Sequence, residues 1–309
     1  RKPQLVYDRF FLRQEPGAGR RLALYRRFKG RGGFQFLNPH LPDKWTVYRM
    51  LKDAGHLDEH LPPTVPYRGA GGLIKRLDQW GGVVVKPVRG QKGLGLWFMR
   101  PGGGGRIRIR SGTEKSRTVS RRGLAGWCAG KIRRNGHLVQ KLLALRDPGR
   151  RPRDVRVIVQ RDGEGRIGVT GMAVRVGRRG TLLANLHRGG YAARVEEVLE
   201  GIRPPKDALL SGVGGDDAGP AGFDAGTGSS AEICLAAVAR AVFQVLDDAM
   251  GSFAELGIDL GVDAAGCIWF IEANGRPGRS IFREIRAREI RRLSIVHPIA
   301  YARRRLLER

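Results

Sequence analysis

Short apolar runs and period-two alternation alternate along the chain with stripes at helical spacing, and together they predict a mixed α+β protein. Gly82 to Pro87 places three valines ahead of Lys86, a buried strand that delivers one lysine at its end. The glycine-rich loop Arg89 to Gly95 follows, and Leu96 to Met99 reads as the returning strand. Arg106 to Arg110 alternates Arg with Ile, the mark of a half-exposed strand. His137 to Leu143, Asp154 to Gln160 and Arg166 to Val176 predict an antiparallel meander with a turn at Asp162 to Gly165. Ile258 to Asp263 and Cys267 to Asn274 predict a hairpin turning near Ala264, Ala265 and Gly266. Leu5 to Leu12 predicts one more strand, followed by a basic connector from Pro16 to Gly33 with a short helical piece.

Helices are expected at Lys44 to Ala54 behind the cap Asp43, at Gly72 to Gln79, at Arg121 to Ile132 and at Val195 to Ile202. Ser229 and Glu232 form a capping box. It opens a helix whose Leu235, Val238, Val242, Val245 and Ala249 recur at three and four residues, one buried face. Two C-terminal helices, Ile281 to Arg292 and Ile299 to Leu307, are expected on either side of Pro298. Lys206 to Gly228, rich in Gly and Asp, reads as a surface loop.

The hairpin carries the candidate chemistry. Strand side chains alternate faces, so Glu272 and Asn274 point the same way, and the turn Gly275 to Gly278 ends the strand just beyond them. Two adjacent oxygen donors on a rigid strand suit Mg2+, which takes few protein ligands and fills its remaining positions with water or phosphate. Asp259 on the partner strand is the third candidate ligand. A two-residue loop at Ala265 and Gly266 sets it opposite Glu272 on one face, whereas a three-residue loop needs a bulge to do so. Lys86 with Gly90, Gly93 and Gly95 forms a candidate phosphate cradle, because glycines let backbone N–H groups approach an anion and a lysine adds charge. Asn185 to Gly190 offers an Asn, a His and Arg188 ahead of two glycines, with Arg156 and Arg175 within reach of the same region.

Charge and cysteine content set outer bounds. The 309-residue chain has net charge +28, and 46 of its 57 basic residues are arginine, spread along the sequence with no single basic arm. Aromatic residues are 7% of the chain, few for stacking on bases, so the arginines read as a solvated surface more readily than as a nucleic-acid site. Cys128, Cys234 and Cys267 stand far apart, which indicates neither a disulfide framework nor a zinc site and fits a reducing cytoplasm. No run approaches the ~18 apolar residues of a transmembrane span. The first residue is Arg1, from which a fragment is expected.

Taken in order, Lys86-Pro87, Asp154-Val155-Arg156, Asn185-Leu186-His187-Arg188-Gly189-Gly190 and Glu272-Ala273-Asn274-Gly275-Arg276-Pro277-Gly278 resemble the ATP-grasp superfamily. The Asn185 to Gly190 string is similar to RimK-type glutamate ligases. Asp43-Lys44-Trp45, Lys86 to Gly90, Glu255 to Asp259 and Asn274 to Phe282 bring the resemblance closer to the endospore coat-associated YheC/YheD group, over residues 5 to 290.

The resemblance implies an ATP-grasp fold, two subdomains with antiparallel sheets enclosing a nucleotide cleft. Its divisions would be residues 1–42 as the remnant of a preceding domain, 43–136 as the small subdomain with the glycine loop, and 137–309 as the large subdomain with the Mg2+ site. It further implies ATP contacts from Lys44, Lys86, Gly90, Gly93, Gly95, Gln140, Lys141, Leu142, Asp154 and Asn185. Mg2+ would be held by Asp259, Glu272 and Asn274, with Arg175 and Arg188 at the reacting groups. The activity expected is an ADP-forming ligase that joins a carboxylate to an amine or thiol through an acyl phosphate, in association with spore coat components. The alternative is a nucleotide-binding coat-associated protein without catalysis. Two departures from the pattern stand out: no acidic residue for a ribose follows Gln140-Lys141-Leu142-Leu143, and Leu183 occupies the place of a RimK-type arginine.

Overall fold

The computed structural model describes residues 3–9, 18–90, 93–111, 116–134, 136–147, 149–184, 186, 189–199 and 229–308. Two antiparallel sheets and a small parallel pair carry the fold. The parallel pair joins β1 (Leu5–Tyr7) to β2 (Gln35–Leu37), with α1 (Ala18–Gly30) between them. The expected Leu5 to Leu12 strand ends at Tyr7: Asp8 and Arg9 lie beyond it, and Phe10 to Leu12 are outside the described residues. Leu5, Tyr7 and Leu37 pack on Ala254 and Tyr301, which fastens this segment to the C-terminal half.

The next helix, α2 (Lys44–Asp53), begins as expected: the Asp43 carboxylate accepts from the N–H groups of Trp45 and Thr46. After it come β3 (Thr64–Pro66), α3 (Ala70–Trp80), β4 (Val83–Pro87), β5 (Trp97–Pro101), β6 (Arg106–Ser111), β7 (Arg117–Ser120), α4 (Leu124–Ala129) and β8 (His137–Lys141). The strands make a six-stranded sheet in the order β3-β8-β4-β5-β6-β7. Its back, with Val83, Val85, Met99, Ile107 and Ile109, packs against Leu73 and Leu77 of α3 and Leu124 of α4. Alternation then turns Val84, Lys86, Phe98, Arg108 and Arg110 to the opposite face. The helix expected over Arg121 to Ile132 is only the six residues of α4, since Gly123 and Gly130 bracket it and glycine disfavours helix.

The second sheet has five strands in the order β11-β10-β9-β12-β13: β9 (Arg153–Arg161), β10 (Ile167–Val176), β11 (Tyr191–Ala193), β12 (Glu255–Val262) and β13 (Ile268–Asn274). One face, with Val155, Val157 and Val159, is covered by α6 (Ser230–Met250) and by Val47 and Leu51 of α2. The capping box at Ser229 and Glu232 is formed, and Leu235, Val238, Val242 and Leu246 are buried along the inner stripe of α6. Each such side chain removed from water contributes roughly 1.5–3 kcal/mol. Of the expected helix over Val195 to Ile202, α5 (Val195–Leu199) lies within the described residues, and the Lys206 to Gly228 stretch lies outside them.

The opposite face of this sheet is divided. Its distal half, around Ile158 and Ala173, is covered by α7 (Ser280–Glu284) with Ile281 and Phe282. Its proximal half carries Asp154, Arg156, Arg175 and Asp259. The final helix, α8 (Arg288–Leu307), runs straight through Pro298, where two helices were expected. Proline deprives the Ser294 carbonyl of its helical donor, but Gln160 Nε2 and Arg279 Nε each donate to that oxygen at 2.8 Å. The helix therefore survives because an orphaned acceptor is satisfied from β9 and from the residue that precedes α7. No described helix is long and apolar enough to cross a membrane.

Candidate active site

The β12–β13 hairpin resolves the parity question posed by the sequence. Asp263 N–H donates to the Cys267 carbonyl and Gly266 N–H to the Asp263 carbonyl, both at 3.1 Å, so Ala264, Ala265 and Gly266 form a three-residue loop. Gly266 takes the positive φ of 84° that this turn requires. That loop alone would set Asp259 opposite Ile271. Instead the register shifts between Leu260–Phe270 and Asp259–Glu272, leaving Ile271 as a bulge. Asp259 and Glu272 are thereby brought opposite each other, with Asn274 two residues on along the same face.

The strand end is fixed by residues that the sequence pattern did not reveal. Buried Asn38 accepts from the N–H groups of Ala254 and Glu255 at 2.7 and 3.1 Å and donates to the Gly275 carbonyl at 2.7 Å. One side chain thus ties the start of β12 to the turn after β13. Arg276 pairs with buried Asp8 at 2.8 Å, and Arg279 with fully buried Glu255 at 2.7 Å. The one available signal, an asparagine at positive φ, is a backbone property invisible in the residue string.

A cleft of about 710 Å³ lies between the two sheets, and Lys44, Lys86, Gly90, Gly93, Gln140, Lys141, Leu142, Asp154 and Glu272 all line it. Asn274 lines an adjoining cavity of about 490 Å³ together with Lys44, Lys86 and Glu272. Gly93 and Gly95 have φ of 72° and 70°. At Gly93 a Cβ would come within 2.5 Å of Leu183 Cδ1, so the glycine loop closes directly on the opposite lobe. Lys44 Nζ donates to the Gly90 carbonyl at 2.8 Å and pairs with Glu272 at 3.2 Å, linking loop to hairpin. Asn185 and Arg188 lie outside the described residues.

Lys86 is buried, and its Nζ donates to Gln140 Oε1 at 3.1 Å. Burial drives its pKa down to about 8, with Lys44 adding to the shift and Glu272 opposing it. The unfolded chain therefore holds more protons than the folded one between pH 8 and the ordinary 10.5 of lysine, and stability rises with pH across that window. Below pH 8 the full penalty applies, of order 3 kcal/mol. Lys86→Met is expected to raise the melting temperature at pH 7 and to abolish the rise in stability between pH 8 and 10, read by thermal denaturation at both ends.

Behind the cleft, four buried charges alternate in sign. Arg156 grips Asp259 through Nε and, at 2.8 Å, through Nη2. Arg175 reaches Asp259 with Nη2 at 2.9 Å and Asp154 with Nε. Asn274 Nδ2 donates weakly to Asp259 at 3.4 Å. Burial alone would push the Asp259 carboxyl up, but the two guanidinium groups outweigh it and hold it below the usual carboxylate range. Asp154 goes the other way, to about 6: burial raises it, Arg175 opposes, and the Asp259 charge adds to the rise. In this arrangement Arg175 spends its donors on two carboxylates and lines neither cavity, which makes it a holder of Asp259.

These side chains form a lysine-bearing cleft lined by Glu272, with the amide of Asn274 in the adjoining cavity. A family model for YheC/D-like ATP-grasp proteins matches residues 33–211 and 223–304. The chain belongs to the YheC/D-like ATP-grasp family. Among the relatives of this YheC/D-like chain is the endospore coat-associated protein YheC of Bacillus subtilis (strain 168), 26% identical over 285 residues that make up 91% of this chain and 72% of YheC. YheD of the same organism is 24% identical over 289 residues, 91% of this chain but 58% of YheD. The D-cycloserine synthetase DcsG superposes with a TM-score of 0.54 at 13% identity, covering 97% of this chain and 84% of DcsG. The ATP-grasp ligase PsnB, solved with minimal precursor, Mg and ADP, gives 0.52 at 14% identity, covering 98% and 79%. These likenesses establish the ATP-grasp fold, with the YheC/D-like cleft between its two antiparallel sheets.

The donor set fits a hard cation. Glu272 and Asn274 present a carboxylate and an amide oxygen on one strand face, and a cation, the Lys44 ammonium, already neutralises Glu272. Asp259 fits less directly, because Arg156 and Arg175 engage its oxygens.

Proposed function

We propose that the chain is an ATP- and Mg2+-dependent carboxylate ligase of the ADP-forming kind. The observation that carries this reading is the convergence of Lys44, Lys86 and Glu272 on a cleft beneath a glycine loop that touches both lobes, with Asn274 beside them in the adjoining cavity. Glu272 and Asn274, with Asp259 at their side, would hold Mg2+, which would supply charge neutralisation to the phosphates of ATP. Lys86 presents its ammonium to the phosphates from a buried, preorganised position. N–H groups at Gly90, Gly93 and Gly95 would cover them, and backbone groups near Gln140 to Leu142 would meet the adenine.

Arg175 keeps Asp259 ionised and aimed, a positioning role. A substrate carboxylate attacks the γ-phosphorus and releases ADP. The acyl phosphate so formed is then attacked at its carbonyl carbon by an amine or thiol, with phosphate leaving. Positioning and charge account for this catalysis, so no side-chain nucleophile is called for. From the YheC and YheD names we extend the reading to a role at the endospore coat.

The test is release of ADP and phosphate in the presence of candidate carboxylates, with hydroxylamine trapping the acyl phosphate as a hydroxamate. ADP and hydroxamate in equal amounts are expected, and exclusive AMP release overturns the proposal. The engagement of Asp259 by two guanidinium groups favours a second reading, a nucleotide-binding coat protein without turnover. That reading predicts a melting shift with Mg-ATP and no product from any carboxylate.

A further inference from the structure

Beyond the predicted contacts, the cleft between the sheets is flanked by arginines. Arg100 on β5 and Arg108 on β6 are cross-strand partners, and Arg110 lies opposite Phe98, so all three share the face turned to the cleft. Arg146, Arg150 and Arg179 line the cleft from the other lobe. Arg110 spans the gap to the Gly180 carbonyl at 2.9 Å, and Arg146 donates to the carbonyls of Arg150 and Thr181 at 2.7 and 3.1 Å. Among the described residues none of the six is ion-paired. Burial, followed by the charges of Arg110, Arg100 and Arg150, pushes the Arg146 guanidinium below its ordinary value, with Asp147 opposing the shift. Some arginines elsewhere are paired, Arg121 with Asp78, Arg161 with Asp247 and Arg292 with Glu289, and others, such as Arg288 and Arg291 on α8, stand on the surface without an ion pair among the described residues; what sets the six apart is that they line one cavity. Six arginines around one cavity, none ion-paired among the described residues, repel one another, and an anionic ligand entering between them would relieve that repulsion.

Spacing indicates what they face. Arg108 and Arg110 stand two residues apart on a strand, about 6.8 Å, which is the repeat of like-facing side chains in an extended polypeptide. A compact phosphate would need converging donors, whereas this row is linear. Phe98 is the sole aromatic ring among the described residues lining the cleft, which leaves the successive bases of a nucleic-acid strand, as opposed to the one adenine near Gln140 to Leu142, with little to stack on. We propose that this basic flank of the cleft binds an extended acidic polypeptide, its Glu or Asp side chains laddered along Arg108 and Arg110 and bridged by Arg146 from the opposite lobe. The inference deepens the ligase reading by naming the substrate class, and the binding it predicts does not depend on turnover.

The probe is fluorescein-labelled hexaglutamate, titrated with the full chain and followed by anisotropy at roughly 100 mM salt, where surface charges beyond a Debye length are screened. Free glutamate and a single-stranded hexanucleotide serve as competitors. Saturable binding is expected, weakened at least about tenfold in the Arg108→Glu/Arg110→Glu double variant, since each charge-assisted contact reverses sign. The milder Arg108→Gln/Arg110→Gln pair should weaken it less, with unchanged melting. Arg288→Glu/Arg291→Glu on α8 makes the same charge change away from the cleft and should shift affinity less than about twofold.

Absence of binding, equal loss in the α8 control, or tighter binding of the hexanucleotide through the same arginines overturns the proposal. The melting shift with Mg-ATP is read in parallel on the same proteins. Loss of that shift with hexaglutamate binding intact overturns the ligase reading alone, and the converse overturns the acidic-chain site alone.

Discussion

Glu272→Gln is expected to lower ADP release by about a thousandfold or more while leaving the melting temperature within a few degrees of the parent. The asymmetry follows from where the carboxylate stands. Its side chain is about one-third exposed at 32%, and its ion pair with Lys44 at 3.2 Å is of the surface kind, worth roughly 0–1 kcal/mol. Glutamine has the same shape, keeps an oxygen acceptor for Lys44 and leaves the β13 backbone untouched.

The amide cannot, however, supply the negative charge that fixes a divalent cation against the phosphates, a contribution worth several kcal/mol at a developing charge. At 1.36 kcal/mol per decade, about 4 kcal/mol is a factor of about a thousand. Asn274→Ala should act in the same direction, with a higher Mg2+ concentration needed for half-maximal rate. The measurement is coupled ADP release across an Mg2+ titration, beside circular-dichroism melting. Full activity with unchanged Mg2+ dependence in Glu272→Gln would sink the metal assignment, whatever became of the fold.

Much of the site was legible in the residue string because it depends on local rules. The Asp43 cap, the Ser229–Glu232 box and the pairing of Glu272 with Asn274 on one face each follow from spacings of two or three residues. The alternatives posed for the hairpin were also sound: with a three-residue loop a bulge was required, and Ile271 provides it. Length defeated the pattern elsewhere. β2 and β3 are three residues each and β7 four, too short for a period-two signal; β3 and β7 form on the edges of the longer β8 and β6, and β2 pairs with the equally short β1.

What could not be read are the long-range satisfactions. Pro298 is tolerated because Gln160 and Arg279 donate to the Ser294 carbonyl, from 134 and 15 residues away. Asn38 joins β12 to the Gly275 turn across more than 200 residues. Arg156 and Arg175 were within reach of the site by sequence order, but their commitment to Asp259 depends on the register of three strands. That commitment bears on the candidate set of two carboxylates and an amide: Asp259 arrives with its countercharges already in place.

Arg156→Met is the substitution expected to damage the fold most, by about 3–5 kcal/mol, because it removes one partner of a buried pair and leaves the other. Arg156 and Asp259 are 13% and 7% exposed at their side chains, so solvent does little to screen what remains. With Arg156 gone, Asp154 and Asp259 share the single charge of Arg175, and one buried negative charge goes uncompensated. The sign of the pH dependence follows. In the parent the guanidinium groups hold Asp259 below the usual carboxylate range despite its burial, so the stability it contributes is present above the unfolded-state pKa and is lost as pH falls through the lower folded value.

In Arg156→Met burial meets less opposition and the Asp259 carboxyl rises. The variant is then most destabilised at neutral pH, and the deficit shrinks as pH falls toward about 4 and the carboxylate takes up a proton. Adding Asp259→Asn to Arg156→Met removes the stranded charge, and the double variant is expected to recover at least about 1 kcal/mol relative to additivity. Urea denaturation of the parent, both single variants and the double variant at pH 7 and pH 4 reads all of these terms. If Arg156→Met costs the same at both pH values, or if the double variant is merely additive, the four charges do not act as one cluster, and Arg175 is left to hold Asp259 alone.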